Sequence, residues 1–412
     1  MRAVNKLRVG NDYLASMQFG EFSENALAKF WRAETRSLEE TFDTKHNALT
    51  LIRYVFAAMV VVAHSFALGG YHAGHDPLWF WSGHQVDLGG LAVDGFFIVS
   101  GFLVARSYES VQNPWNFLFR RGIRVLPAYW LALVLGALVV GPLAWFHEHG
   151  KIAGYFANTS TGPWHYITTN FLVTVNQWNV NSLFGDTPYA HAGAILAVNG
   201  SLWTLIFEVK CYILLAILGG LGLLRYRRLV VILAAFFFVM MVVGHANPDM
   251  SINIIPLFFP MWASALPFFF FTGAAFHHYR HELPINNRLG IIAWIVAFYT
   301  MMNTGYLILG QLALTYGVVW LVASFSAPWF EKWGDPTYGT YIFAYLVQVL
   351  MAEFGFNYEQ KWHSHLMEVV YIALSVLLST AIGYLSWHLL EKRVLSLKQR
   401  WPGRSEKSVV SS

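Results

Sequence analysis

LTLIRYVFAAMVVVAHSFAL, residues 49–68, has the length and apolarity of a bilayer-crossing helix. About 20 residues rising 1.5 Å each cover the roughly 30 Å hydrocarbon core. Two of its side chains, Arg53 and His64, do not belong in hydrocarbon. Eleven positions are close to three helical turns, which puts both on nearly the same side, about 16 Å apart along the axis. An ionisable residue inside a span marks a functional site or an internal pair. A cation near the entrance and an imidazole at half depth read as two stations on one path. The structural alternative is an Arg that snorkels and a core His bonded to a backbone carbonyl.

The rest of the chain has the same character. Hydrophobic residues make up 56% and charged residues 12% of 412, whereas a soluble domain carries about 25% charge. Ten candidate spans follow, at roughly 49–68, 87–107, 125–146, 200–224, 229–244, 254–276, 289–305, 307–326, 337–355 and 366–389. The expected fold is an all-α polytopic membrane protein of about ten transmembrane helices. Ten spans return the chain to its starting side, and all Lys and Arg except Lys151, Lys210 and Lys361 fall there. Cytoplasmic loops carry the positive excess, so both termini are expected in the cytoplasm.

Three regions result: a cytoplasmic extension (1–48), the membrane domain (49–393) and a cytoplasmic tail (394–412). The extension lacks the apolar core of a secretory signal. Within it, Phe22, Leu27, Phe30 and Trp31 form one side of an expected amphipathic helix. The basic balance is accounted for by the inside loops and gives no reason to expect nucleic acid. A single cysteine, Cys211, excludes an intrachain disulfide and a cysteine metal cluster. The long outside segment, 147–199, sets Trp164, Tyr166, Trp178 and Tyr189 among amides and hydroxyls, as a sugar-like ligand requires. Interfacial aromatics with a re-entrant piece at 164–176 are the structural alternative.

Polar chemistry concentrates in four places. The second span carries Asp94 among Gly89, Gly90, Gly95 and Gly101. The glycines read as close helix packing, while the carboxylate needs a partner, either His64 or a buried Arg. FRRGIRVLPAYW, residues 119–130, groups Arg120, Arg121 and Arg124 beside an expected helix start, and Arg is a preferred fork for phosphate. In the fourth span Ser201, Thr204, Glu208 and Tyr212 follow i, i+3, i+7 and i+11 and define one stripe. Glu208 there is either an acid–base group or the charge partner of Arg53. His277, His278 and His281, like His147 and His149, read as solvated loop residues.

With these residues in view the chain resembles membrane-bound acyltransferase family 3, O-acyltransferases of bacterial cell-surface glycans. The likeness rests on Arg53 and His64 at R-x10-H spacing, VDGFFIVSGFL (93–103), RRGIRVLPAYW (120–130) and SLWTLIFEVKCY (201–212). A weaker match is GDPTYGTYIF (334–343). The chain departs from the family at Ala344-Tyr345-Leu346, where many members carry His-x-Pro, and at Glu391-Lys392-Arg393, where Glu-Lys-Pro is common.

The resemblance implies an inner-membrane enzyme that moves an acyl group from cytoplasmic acyl-CoA to a glycan or lipid-linked saccharide, with membrane lipids around it and no metal. It implies Arg120, Arg121 and Arg124 at the donor's phosphates, and His64 as general base or acyl acceptor, supported by Arg53, Glu208 and Asp94. Ser201, Trp203 and Tyr212 are the expected acceptor contacts. A transporter or flippase of a polar substrate is the alternative, since it too buries Arg, Asp, Glu and His along a pathway.

Overall fold

The computed structural model describes residues 35–43, 46–247, 253–255, 259–360 and 363–396. The expected helix around Phe22 to Trp31 lies outside them. Ten helices occupy the ten expected spans. They are α1 (Leu49–Gly69), α2 (Leu88–Val111), α3 (Pro114–Leu135), α4 (Leu205–Gly220), α5 (Arg227–Ala246), α6 (Ala265–His278), α7 (Asn287–Met302), α8 (Gln311–Ser324), α9 (Thr337–Glu353) and α10 (His365–Ser386). Among the described residues, seven helices are long and apolar enough to cross a membrane. The chain is a polytopic all-α membrane protein.

Two boundaries differ from expectation for identifiable reasons. The helix expected over 125–146 begins at Pro114, where Asn113 caps the backbone and proline occupies the first turn. It continues through a π-helical turn, Gly136–Val140, to His149. The three arginines therefore sit inside a helix, not ahead of one. The sixth helix is shorter than the expected 254–276, because Pro260 removes a backbone donor and the chain before it pairs as a two-stranded ribbon, Asn253–Ile255 with Phe259–Pro260.

Helix α1 packs against α2, α9 and α10, and α2 makes its most extensive contact with α6. Glycine makes that second contact possible. A Cβ on Gly101 would lie 1.8 Å from the Phe270 carbonyl oxygen, and one on Gly273 would lie 2.0 Å from that of Ile98. Small residues let two backbones approach where lipid supplies no hydrophobic drive. Gly95 plays a related part, leaving room for the Phe56 ring 2.4 Å from where its Cβ would stand.

The obstacle at Gly101 is backbone, so Gly101→Ala should force the helices apart. Overpacking costs about 1–3 kcal/mol, which thermal unfolding in detergent will register as a lowered midpoint. Gly122→Ala is the control, since its Cβ would first meet Leu126 at an ordinary 3.6 Å, and alanine's better helix propensity should hold or raise the midpoint.

Candidate active site

The turn Gly334-Asp335-Pro336 delivers a carboxylate to the start of α9. Its Oδ2 accepts from Arg53 Nη1 at 3.1 Å and from Arg124 Nη2 at 2.7 Å. Its Oδ1 accepts from the Thr337 backbone N–H at 3.2 Å, which fixes the carboxylate on the first turn. The side chains are largely buried, 15% exposed for Asp335 and 20% for each arginine. Burial by itself raises the Asp335 pKa, but the Arg53 and Arg124 guanidiniums outweigh it and hold the carboxyl well below the usual carboxylate range.

These three residues border a cavity of about 460 Å³ that also takes in Ser100, Arg121, Glu208 and Tyr212. Leu49 and Thr50 line it at the start of α1, and Phe96, Thr204 and Tyr341 line it farther in. Glu208 Oε1 accepts from Ser100 Oγ at 2.9 Å and from the Tyr212 hydroxyl at 2.5 Å. Arg121 makes no salt bridge among the described residues. Its guanidinium lies 5.8 Å from the Phe117 ring and 5.9 Å from the Tyr212 ring, and its buried Nε has no hydrogen-bond partner. Three guanidiniums thus face two carboxylates, a surplus of one positive charge on the lining. An anion is the ligand such a chamber favours.

The sequence-derived candidates divide into two groups. Arg53, Arg121, Arg124, Glu208 and Tyr212 meet in the cavity. His64, Asp94, Arg120, Ser201 and Trp203 do not line it. His64 lies against Tyr345, rings edge to face at 5.5 Å, one turn of α9 beyond Tyr341, and its buried Nδ1 has no hydrogen-bond partner among the described residues. Asp94 pairs with neither His64 nor an Arg. It makes no hydrogen bond or ion pair among the described residues and lies in the electrostatic reach of Tyr306. Arg53 is matched by Asp335, not by Glu208.

The stripe on the fourth span is real from Thr204 to Tyr212 but loses Ser201. Gly200–Thr204 winds as a 3-10 helix, and its tighter three-residue turn rotates Ser201 off the line. Ser201 is instead buried, with its carbonyl accepting from the Tyr341 hydroxyl at 3.1 Å. Trp203 is half-buried, its ring 5.9 Å from that of exposed Trp262. Of the histidines expected to be solvated, His147, His149 and His281 are exposed, whereas His277 needs correction. His277 is buried and pairs with Glu109 at 2.6 Å, because α6 runs on to His278 instead of ending in a loop. The exposed His147 also pairs with Glu353 at 2.9 Å, and the exposed His149 stacks on Trp145 at 3.8 Å.

Sequence reasoning missed Asp335. A carboxylate in a Gly-Asp-Pro turn reads as turn chemistry, and only its distance from two arginines far away in the chain reveals another task.

Comparison with known proteins points to one family. A family model described as an acyltransferase domain matches residues 46–385. An O-acetyl transferase of Shigella phage Sf6 is 25% identical, over 85% of this chain and 97% of its own length. Nodulation protein 10 of Rhizobium leguminosarum bv. viciae is 25% identical, over 85% of this chain and 94% of its own. The exopolysaccharide production protein ExoZ of Rhizobium meliloti (strain 1021) is 32% identical, over 36% of this chain and 40% of its own. No solved structure matches.

The Asp335 clamp makes a stability prediction. Asp335→Asn keeps the shape and leaves Arg53 and Arg124 without their countercharge. Removing one partner of a buried pair costs about 3–5 kcal/mol, and partial exposure of all three groups places this case at the lower end. The melting midpoint in detergent should fall, and Arg53→Gln added to Asp335→Asn should restore part of it. An unchanged midpoint for Asp335→Asn removes the clamp from the account.

Proposed function

The chain belongs to this acyltransferase family, and on that premise we propose that it carries an acyl group, acetyl in the simplest case, from acyl-CoA at the cytoplasmic face of the inner membrane to a hydroxyl of an extracytoplasmic or lipid-linked glycan. The observation that carries the donor half of this reading is the cavity, with its positive surplus and a phosphate-seeking arginine whose Nε is unpaired. The acceptor half draws on the relatives, whose names refer to O-acetyl transfer and exopolysaccharide production.

The roles follow from chemistry. Arg121 binds the donor's phosphates, with Arg53 and Arg124 adding positive field from either side of Asp335. Arg120, off the lining, takes no part. The thioester arm extends inward past Phe96 and Tyr341, toward the turn of α9 that meets His64. There His64 takes the proton of the acceptor hydroxyl as that oxygen attacks the thioester carbonyl, and the thiolate of CoA leaves. Glu208, held by Ser100 and Tyr212, keeps a negative charge next to the arginines and orients them. Asp94, off the lining and without a cation beside it among the described residues, takes no direct part. Trp203, beside Trp262, offers an aromatic face to the sugar, and Ser201 acts through Tyr341.

Liposomes holding the purified protein, labelled acetyl-CoA and a glycan acceptor test the reading. Label should pass to the glycan. Movement of the glycan across the bilayer without labelling would instead establish a flippase. His64→Ala should abolish transfer at normal membrane yield. Glu208→Gln should lose roughly two orders of magnitude in rate, the scale of acid–base and charge-orienting contributions.

The arginines separate binding from topology. Arg121→Ala should raise the donor KM more than it lowers kcat and should flatten the salt dependence of donor binding. Arg120→Ala should change neither. Equal effects from the two variants would mean that the lining does not select the donor.

A further inference from the structure

At the end of α1 opposite the Asp335 clamp, three groups from distant parts of the chain converge. His72 comes from the turn Tyr71–Gly74 that follows α1, and His365 and Glu368 come from the first turn of α10. His72 Nε2 lies 3.1 Å and His365 Nδ1 lies 3.4 Å from the same carboxylate oxygen, Glu368 Oε2. One nitrogen of each imidazole and that oxygen all fall within 4.8 Å of one another. The two rings lie nearly parallel, 24° apart, with centroids at 6.2 Å.

From this convergence we propose a divalent transition-metal site, of zinc-type preference, in which His72, His365 and Glu368 are the three protein ligands.

The spacing is that of ligand atoms around one ion. Bonds of about 2.0–2.1 Å at tetrahedral angles set neighbouring ligands about 3.4 Å apart. Two of the three separations already stand near that value, and a small rotation of the exposed His365 side chain brings in the third. Two imidazoles and a carboxylate are borderline ligands that suit zinc and its neighbours and do not suit calcium or magnesium. Glu368, 14% exposed, is the seated member, while His365 at 92% and His72 at 42% leave the opposite side open to water as a fourth ligand.

The backbone supports the assignment. His72 and the following Ala73 both hold left-handed conformations, φ 48° and 55°. Neither residue adopts this readily, and such outliers persist where the surroundings require them. Here the left-handed turn reverses the chain just past α1 and brings the His72 ring back toward α10. A bound ion would join the ends of α1 and α10, fixing the helix that carries His64. The proposal does not depend on the acyl-transfer reading, and its test reads metal binding directly.

The experiment uses the full chain in detergent, without tag histidines, stripped by chelator and titrated with Co²⁺ and separately with Zn²⁺. Co²⁺ should give the visible absorption of a low-symmetry tetrahedral ion, one per chain and displaced by Zn²⁺. Zn²⁺ should raise the melting midpoint in a concentration-dependent way. His72→Ala, His365→Ala and Glu368→Gln should each weaken binding by at least the ~10–100-fold that even outer-shell partners command. His75→Ala should bind normally, since its ring stacks on Trp79 at 5.1 Å and faces none of the three. Each variant is compared with itself, metal-free against metal-loaded, which keeps any loss of intrinsic stability out of the reading. Absence of Co²⁺ absorption and of a Zn²⁺ shift in the unaltered protein overturns the site. So does binding that survives Glu368→Gln and His72→Ala, which would mean adventitious capture by other histidines.

Discussion

One carboxylate holds one end of this helix bundle together. Asp335 receives guanidinium groups from positions 282 and 211 residues earlier in the chain, and its other oxygen is tied to the first turn of α9. In a largely dehydrated setting a charge must be matched or it is expelled, so α1, α3 and α9 are obliged to meet there. Glu391, at the far end of the chain, lies within the electrostatic reach of Arg124 and adds negative charge behind the clamp. Two of the cavity's three arginines are thereby tied in place, while Arg121 makes no salt bridge among the described residues.

Above the clamp the polar chamber gives way to aromatic packing. The Phe96 and Tyr341 rings meet edge to face at 5.7 Å, and Tyr341 is anchored through Thr204 at 2.7 Å. One turn farther along α9, Tyr345 lies against His64 and occupies the space a side chain at Gly200 would need, its ring 2.4 Å from that Cβ. The polar chamber and the imidazole are therefore separate places along one face of α9. Tyr345, which touches His64, stands between Ala344 and Leu346, the two positions that depart from His-x-Pro. Glu391, which the chain shares with the common Glu-Lys-Pro, borders the charge cluster around Arg124, and the second departure is at Arg393.

Helix contact in the bundle relies on the absence of side chains as much as on their presence. Gly101 and Gly273 let α2 and α6 approach backbone to backbone, which seats Ser100, the next residue along, against Glu208 of α4. A packing device and a site contact thus share one helix turn.

The class of the protein, the positions of ten helices and the packing role of the glycines are legible in the sequence, because hydrocarbon imposes a length and a composition on every segment that crosses it. The meeting of Arg53, Arg121, Arg124, Glu208 and Tyr212 was likewise foreshadowed, since ionisable residues in apolar helices are rare enough to be conspicuous. Asp335 was not, because in its own neighbourhood it is an ordinary turn residue. Nor was the grouping of His72 with His365 and Glu368, the pairing of His277 with Glu109, or the distance of His64 and Ser201 from the cavity lining. A sequence determines which groups must find partners. Which partner each one finds depends on how helices hundreds of residues apart come to lie side by side, and that was decided by the tertiary structure alone.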